Sequence, residues 1–268
     1  MDYKIGEVSK ILNISKEMIR YYEKKGAIHP NRKSDNNYRT YSTMDVFLLM
    51  EINRYQALNF SVKEISKLLQ DNYIEHYVRH LHKYTKEIEK EVSFKQLLKQ
   101  RVKELADRAT YSQLNIGNFW FKKIPEHDLL YMLKANNDHY DDFELTKKNR
   151  QIIFNDNNMA FFESLVIFEE KYETWWYGIQ SEYGKALELK YENYQVLPSQ
   201  VCLCTHIDMG EIGDFDRSCL IPIYQHIEKN GYTVSGKARG IIIGRGYNHE
   251  RFQRIMEIQI PIEIETLK

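Results

Sequence analysis

Residues 74–110 contain neither glycine nor proline, and this uninterrupted run constrains the fold more than any other feature of the chain. Within it, positions 77, 81, 84, 88, 91, 95, 98, 102, 105 and 109 follow strict 4-3 spacing. They read Tyr, Leu, Tyr, Ile, Glu, Lys, Leu, Val, Leu and Ala, so eight of the ten suit an apolar seam. A helix of that length extends roughly 55 Å at about 1.5 Å per residue, too far to pack against one small domain. The seam predicts an antiparallel coiled coil with a second copy of the chain, with Glu91 and Lys95 setting the register or pairing across it. Three parts are expected: residues 1–72, a connecting helix over 73–112, and residues 113–268.

The formal net charge of zero conceals an uneven distribution. Lys and Arg outnumber Asp and Glu by 12 to 8 in residues 1–70 and by 9 to 7 in 71–112, but are outnumbered 17 to 23 in 113–268. A basic N-terminal third on an acidic body suits a head that faces phosphate, although a chance partition gives the same numbers. The three cysteines, Cys202, Cys204 and Cys219, form no disulfide-framework spacing, which points to a reducing, cytoplasmic setting. Met1 to Lys4 run into an amphipathic helix rather than a signal peptide, and no apolar stretch suits a membrane span.

At the N-terminus, Ile5, Val8, Ile11 and Leu12 recur at helical spacing, and Asn13 suits the left-handed conformation that ends a helix. Ile14, Met18, Ile19 and Tyr22 mark a second helix, closed by Gly26. So tight a pair is a helix-turn-helix, with Ser15, Lys16, Arg20 and Tyr21 on the polar side of the helix suited to the major groove. From Asn31 to Tyr41, turn formers lead into alternating aromatic and basic residues, the pattern of a two-stranded wing against the DNA backbone. Third and fourth helices open at Ser42-Thr43-Met44-Asp45 and Ser61-Val62-Lys63-Glu64, both capping boxes. The third is expected to bury Phe47, Leu48, Met50 and Ile52, and the fourth Ile65, Leu68 and Leu69. The loop between them, with Arg54 before it and Lys63 after it, is expected to be a second wing.

Four segments in this order, Ile5-Gly6-Glu7-Val8-Ser9, Ile19-Arg20-Tyr21-Tyr22-Glu23, Tyr38-Arg39-Thr40-Tyr41 and Ser61-Val62-Lys63-Glu64-Ile65, resemble the N-terminal signature of MerR-family transcription regulators. The resemblance implies a winged helix-turn-helix DNA-binding domain over 1–72, with DNA contacts from Lys16, Arg20, Tyr21, Tyr38, Arg39 and Tyr41. Tyr22 suits the core better than the DNA. The resemblance also implies that 73–112 is the dimerisation helix of a homodimer. Its partners would be double-stranded promoter DNA and RNA polymerase at that promoter.

Residues 113–268 replace helical spacing with alternation. Strands are expected near 118–123, 159–168, 172–179, 200–207, 237–244 and 254–264, with helices near 138–151 and 214–230. Strand–helix–strand–strand twice over predicts an antiparallel sheet-and-helix domain with a pseudo-twofold repeat and a cleft between its halves. With the closing Ile255-Met256-Glu257-Ile258-Gln259-Ile260-Pro261-Ile262, this order resembles the GyrI-like effector-binding domain of multidrug-sensing MerR regulators, making the whole chain α+β. Ligand contacts are expected from Tyr140, Trp175, Trp176, Tyr177, Tyr224, Arg239 and Glu257, although aromatic residues also serve strands simply as packing. The resemblance implies a glutamate where this chain has Arg239, so a flat, hydrophobic, non-cationic effector is expected. Arg239 would then meet either a ligand anion or Glu257.

The leading expectation is a dimeric regulator that activates by distorting an over-long promoter spacer when the effector is bound. One alternative is a ligand-independent DNA binder. Another is a hydrolase, for which the chain offers no G-x-S-x-G elbow or zinc spacing and only Glu257 as a general base, so no enzyme is expected. His76, His80 and His82 suit a solvated helix face, and no metal or cofactor is expected.

Overall fold

Three serines and an asparagine set the helix boundaries of the N-terminal unit. The computed structural model describes residues 2–32, 38–69 and 73–263, which divide into units Met1–Ser93 and Phe94–Lys268. Helix α1 (Ile5–Leu12) ends at Asn13, in the left-handed conformation with φ 51°. Helix α2 (Lys16–Lys24) opens where the Ser15 hydroxyl accepts from the Met18 amide at 3.1 Å. In α3 (Thr43–Ala57) and α4 (Val62–Leu68), both capping boxes form: Asp45 accepts from the Ser42 amide and Glu64 from the Ser61 amide, each at 2.8 Å. Such caps satisfy amides that have no partner inside the helix.

A small antiparallel sheet completes this unit, in the order β1 (Asp2–Tyr3), β3 (Arg39–Ser42), β2 (Asn31–Arg32). The expected wing supplies β2 and β3; its tip, residues 33–37, lies outside the described residues. Val8, Ile19, Tyr22, Tyr41, Leu49, Ile52 and Ile65 form the core. The expected burial of Phe47 and Met50 is corrected: both are exposed, because the buried stripe of α3 advances by threes through Val46, Leu49, Ile52 and Tyr55.

Helix α5 (Tyr73–Leu114) is continuous and contributes to both units. Tyr77 and Leu81 pack on the N-terminal core, whereas Phe94, Leu97 and Leu98 pack on the C-terminal one. Three expected seam residues, Tyr77, Leu81 and Leu98, are thus already engaged within the chain, while Ile88 and Val102 remain exposed. His80 is not on a solvated face either: its ring stacks on Phe60 at 3.5 Å between centroids, and Nε2 lies 3.1 Å from the Leu58 carbonyl oxygen.

In the second unit, β4 (Phe119–Ile124), β5 (His127–Asn136), β6 (His139–Tyr140), α6 (Lys147–Ile153), β7 (Phe162–Phe168) and β8 (Glu173–Gln180) are followed by α7 (Ser181–Ala186). Then come β9 (Tyr194–Leu197), β10 (Gln200–Asp208), α8 (Ile221–Asn230), β11 (Arg239–Asn248) and β12 (Arg251–Pro261). The sheet order is β4-β10-β12-β11-β7-β8-β5-β6, with β9 also on β5. The middle reads as a palindrome: β10-β12-β11 mirrors β5-β8-β7, and the halves meet antiparallel where Gly240 faces Val166. The twice-repeated plan is present with a correction: the strand expected near 118–123 to open the first half is β4, which joins the second half, and β5 takes its place. Each half is preceded by a strand that joins the other half, β4 pairing with β10 and β9 with β5.

Strand β5 was not anticipated, and its burial explains why. Nearly all of His127-Asp-Leu-Leu-Tyr-Met-Leu-Lys-Ala-Asn lies buried on both faces, so alternation is lost. The helix expected over 138–151 is the shorter α6, and residue 264 of the expected last strand lies outside the described residues.

The two faces of this sheet differ. Phe162, Val166, Trp175, Ile179, Leu203, Met256, Ile258 and Ile260 belong to one apolar cluster, together with Ile223 and Ile227 of α8. The residues between them, Glu163, Leu165, Trp176, His206, Glu257 and Gln259, alternate to the opposite face. At the junction of the halves, a Cβ on Gly240 would lie 2.9 Å from Met256 Cγ and 3.0 Å from Val166 Cγ1. Gly240→Val is therefore expected to destabilise this unit by about 1–3 kcal/mol through overpacking, read as a lower urea midpoint. An unchanged midpoint would show that the junction has slack.

Candidate nucleic-acid interface and effector cleft

A groove of the N-terminal unit gathers charge. Lys4, Gly6, Glu7 and Lys10 from the α1 region, Lys16 and Arg20 from α2, and Tyr38 and Arg39 from the wing line a depression of about 790 Å³. Four of the six expected DNA residues meet there: Lys16, Arg20, Tyr38 and Arg39. Arg39 Nε donates to both carboxylate oxygens of Glu23 at 2.9 Å, tying the wing to α2. Tyr21 is exposed on α2 beside Lys25, whose Nζ lies 5.7 Å from its ring centroid. Tyr41 is the correction: β3 is the middle strand, and the ring turns into the core with no exposed surface. Lys4 and Lys10 join this groove without having been singled out, since their position depends on how α1 packs.

The seven expected ligand residues do not form one site. Tyr140 and Tyr224 line a cavity of about 1250 Å³ with Tyr172, Lys134, Arg217 and Lys237. Beneath it, Tyr140 donates to Asp138 at 2.9 Å, and Arg254 grips the same carboxylate at 2.6 and 2.7 Å. Burial pushes the Asp138 carboxyl up, but Arg254 and the Gly213 amide outweigh it and hold it at about 2. Trp175 and Trp176 are buried on opposite faces of the sheet, since neighbours in a strand point apart. Trp176 Nε1 donates to Thr174 at 3.0 Å, and Tyr177 meets Phe154 edge-on at 5.7 Å.

Glu257 belongs to a separate cleft of about 470 Å³. The C-terminal part of α5 supplies Glu104, Asp107, Arg108 and Tyr111, and the charged face of the sheet supplies Trp120, Lys122, His127, Gln180, Ile241, Glu257 and Gln259. Lys122 Nζ donates to both Glu257 oxygens at 3.1 Å, and His206 Nε2 lies 3.5 Å away. Burial raises the Glu257 carboxyl, but His206, Lys122 and Arg108 outweigh it and bring it to about 2. Nearby, Glu163 accepts from Arg101 Nη2 and Arg108 Nη1, each at 2.6 Å. Burial pushes this carboxyl up as well, and Arg108, His127 and Arg101 hold it well below the usual range.

Arg239 is completely enclosed and does not meet Glu257 directly. Nε donates to Gln259 at 3.0 Å and Nη2 to Cys202 Sγ at 3.4 Å. Gln259 then donates to Glu257 at 2.6 Å, so the amide stands between the two charges. The cross-strand register decides this, placing Gln259 opposite Arg239 and Ile241 opposite Glu257. Glu163, Arg101, Arg108, His127 and His206 were not singled out from the sequence. The only signal available was charge interrupting apolar alternation, as in Phe162-Glu163-Ser164-Leu165.

Because Glu257 and Glu163 are depressed in the folded chain, their stabilisation is present above the unfolded carboxyl range and is lost as pH falls through it. The free energy of unfolding is expected to fall between about pH 5 and 2, and Glu257→Gln is expected to flatten that fall. Urea titrations across this range provide the test, and an equal pH slope in both proteins contradicts it.

Residues 3–72 match the family described as MerR HTH family regulatory protein. The chain is 46% identical over 65 residues to heavy metal-dependent transcription regulator 2 of Rhizobium meliloti, covering 24% of this chain and 44% of that protein. It is 42% identical over 69 residues to the mercuric resistance operon regulatory protein of Bacillus cereus, covering 26% and 52%. The chain thus spans about half the length of the curated relatives it matches. Among solved structures, the EcmrR chain of an EcmrR–DNA complex in EcmrR-RPo is similar at 19% identity and a TM-score of 0.34, covering 97% of this chain and 99% of that one. Residues 3–72, which hold the groove and the capped helices, thus resemble a MerR-type helix-turn-helix segment.

Proposed function

We propose that this chain is a dimeric transcription regulator that binds promoter DNA and activates by distorting an over-long spacer when a small effector occupies the C-terminal unit. The observation that carries the DNA reading is the groove uniting Lys16 and Arg20 of α2 with Tyr38 and Arg39 of the wing. Cations on a helix and a flanking strand suit the phosphates on either side of a major groove. The effector reading rests on the cleft beneath α5, where aromatic rings and buried charges converge on the helix that also enters the N-terminal core. RNA polymerase at the same promoter is the partner this activity requires, in the cytoplasm.

A hydrolase is the weaker reading. Held at about 2 and ion-paired to Lys122, Glu257 is too weak a base near neutral pH to activate water.

Lys16→Ala and Arg20→Ala are each expected to weaken binding to a duplex selected from a random DNA library. Each should also make the dependence of log K on log salt shallower by about one unit. Fluorescence anisotropy over a salt series measures both quantities. Unchanged affinity and slope in both variants would remove the assigned docking face.

The dimer is proposed to use the exposed part of the α5 seam. Ile88 is 42% exposed and makes a cleaner probe than Leu98, which packs on its own chain. Ile88→Asp would bury a carboxylate in the seam and is expected to yield folded monomers by sedimentation. An unaltered dimer would place the contact elsewhere.

A further inference from the structure

Glu23 stands where two effects disfavour a carboxylate. It belongs to the last turn of α2, where the helix dipole repels negative charge. Through Arg39 it also adjoins a groove whose lining carries Lys4, Lys10, Lys16, Arg20 and Arg39 against the single carboxylate of Glu7, a surface that suits an anion. Glu7 is committed to the start of α1, where it accepts from the Lys4 amide at 2.6 Å. Glu23 is committed to Arg39: both of its oxygens accept from Nε at 2.9 Å. That contact uses Nε alone, so the four hydrogens on the two terminal guanidinium nitrogens lie outside it. The side chains of Arg39 and Glu23 keep 41% and 21% of their exposure, and ion pairs open to water contribute little to stability. Stabilising the fold is therefore a weak reason for a carboxylate in this position.

We propose that Glu23 is a positioning residue for DNA binding: it holds the Arg39 guanidinium at the groove, so that a negative charge strengthens attachment to a negatively charged duplex. The proposal rests on the reading of this groove as the DNA-docking face. An unrestrained arginine samples many rotamers and gives them up when it docks, at a cost of about threefold or more in affinity. A carboxylate on α2 restrains Nε beforehand and leaves the terminal nitrogens for a phosphate oxygen. The same carboxylate repels the phosphates, but salt screens that repulsion over about 8 Å. The hold on Arg39 acts through direct contact, so positioning outweighs repulsion.

The sign of one substitution tests this. Full-length protein is titrated by fluorescence anisotropy, over a salt series, against a labelled duplex that the wild type selects from a random library. Glu23→Gln removes a negative charge, so repulsion alone gives tighter binding. Positioning gives binding weaker by about threefold or more, with the salt slope shifted in the same direction as in Arg39→Ala. In an Arg39→Ala background the same substitution is expected to leave affinity unchanged or to tighten it, because only repulsion remains. Glu23→Asp keeps the net charge but withdraws the carboxylate by one methylene. It is also expected to weaken binding, and it decides the matter if Glu23→Gln does not fold. Wild-type or tighter binding by the deciding variant, or an equal loss with and without Arg39, overturns the proposal while the docking face stands. So does wild-type binding by Arg39→Ala when Lys16→Ala or Arg20→Ala is weakened. If Lys16→Ala, Arg20→Ala and Arg39→Ala all leave affinity and slope unchanged, the docking face falls and the proposal falls with it.

Discussion

The grip of Arg101 and Arg108 on Glu163 is the contact around which the C-terminal unit is arranged. Glu163 lies on the inner face of β7 with almost none of its side chain exposed, and both guanidinium groups reach it from α5 at 2.6 Å. A carboxylate in that position demands a cation, because its desolvation is not recovered otherwise. Displacing the helix would take both arginines from Glu163 at once. The position of α5 over the charged face is therefore set by a charge requirement as well as by Phe94, Leu97 and Leu98 on the apolar core.

The exchange of leading strands adds a second constraint. Because β4 completes the second half and β9 the first, neither half has its full set of strand partners without the other. Arg254 of β12 closes the link by holding Asp138 beside β6. A cleft built across such halves is bordered by polar side chains from β4, β5, β7, β10, β11 and β12 together. Its electrostatics belong to the whole sheet.

The N-terminal unit uses the same chemistry at smaller scale. Glu23 near the end of α2 holds Arg39 at the start of β3, so the wing and α2 are tied to one another within the folded unit. The capping boxes at Ser42 and Ser61 fix where α3 and α4 begin, which in turn sets the frame of the buried stripe.

What was legible in the sequence was local. Ser42-Asp45 and Ser61-Glu64 define helix starts, Asn13 a helix end, and residues 74–110 a helix without breakers, because caps and propensities act over a few residues. The repeated order of elements also pointed to two related halves in the C-terminal unit, though not to the order of strands within the sheet. Tertiary structure alone decided which face each residue meets. Tyr41 read as a DNA contact, but its face of β3 is packed into the core, and β5 had no alternation because both its faces are covered. Arg239 was expected to meet either a ligand anion or Glu257, and a register set by hydrogen bonds along β11 and β12 placed Gln259 between it and Glu257. Arg101 and Arg108 were not singled out, since a carboxylate some sixty residues away is brought to them only by packing. Partners across strands and layers depend on register and burial, which no short window of sequence contains.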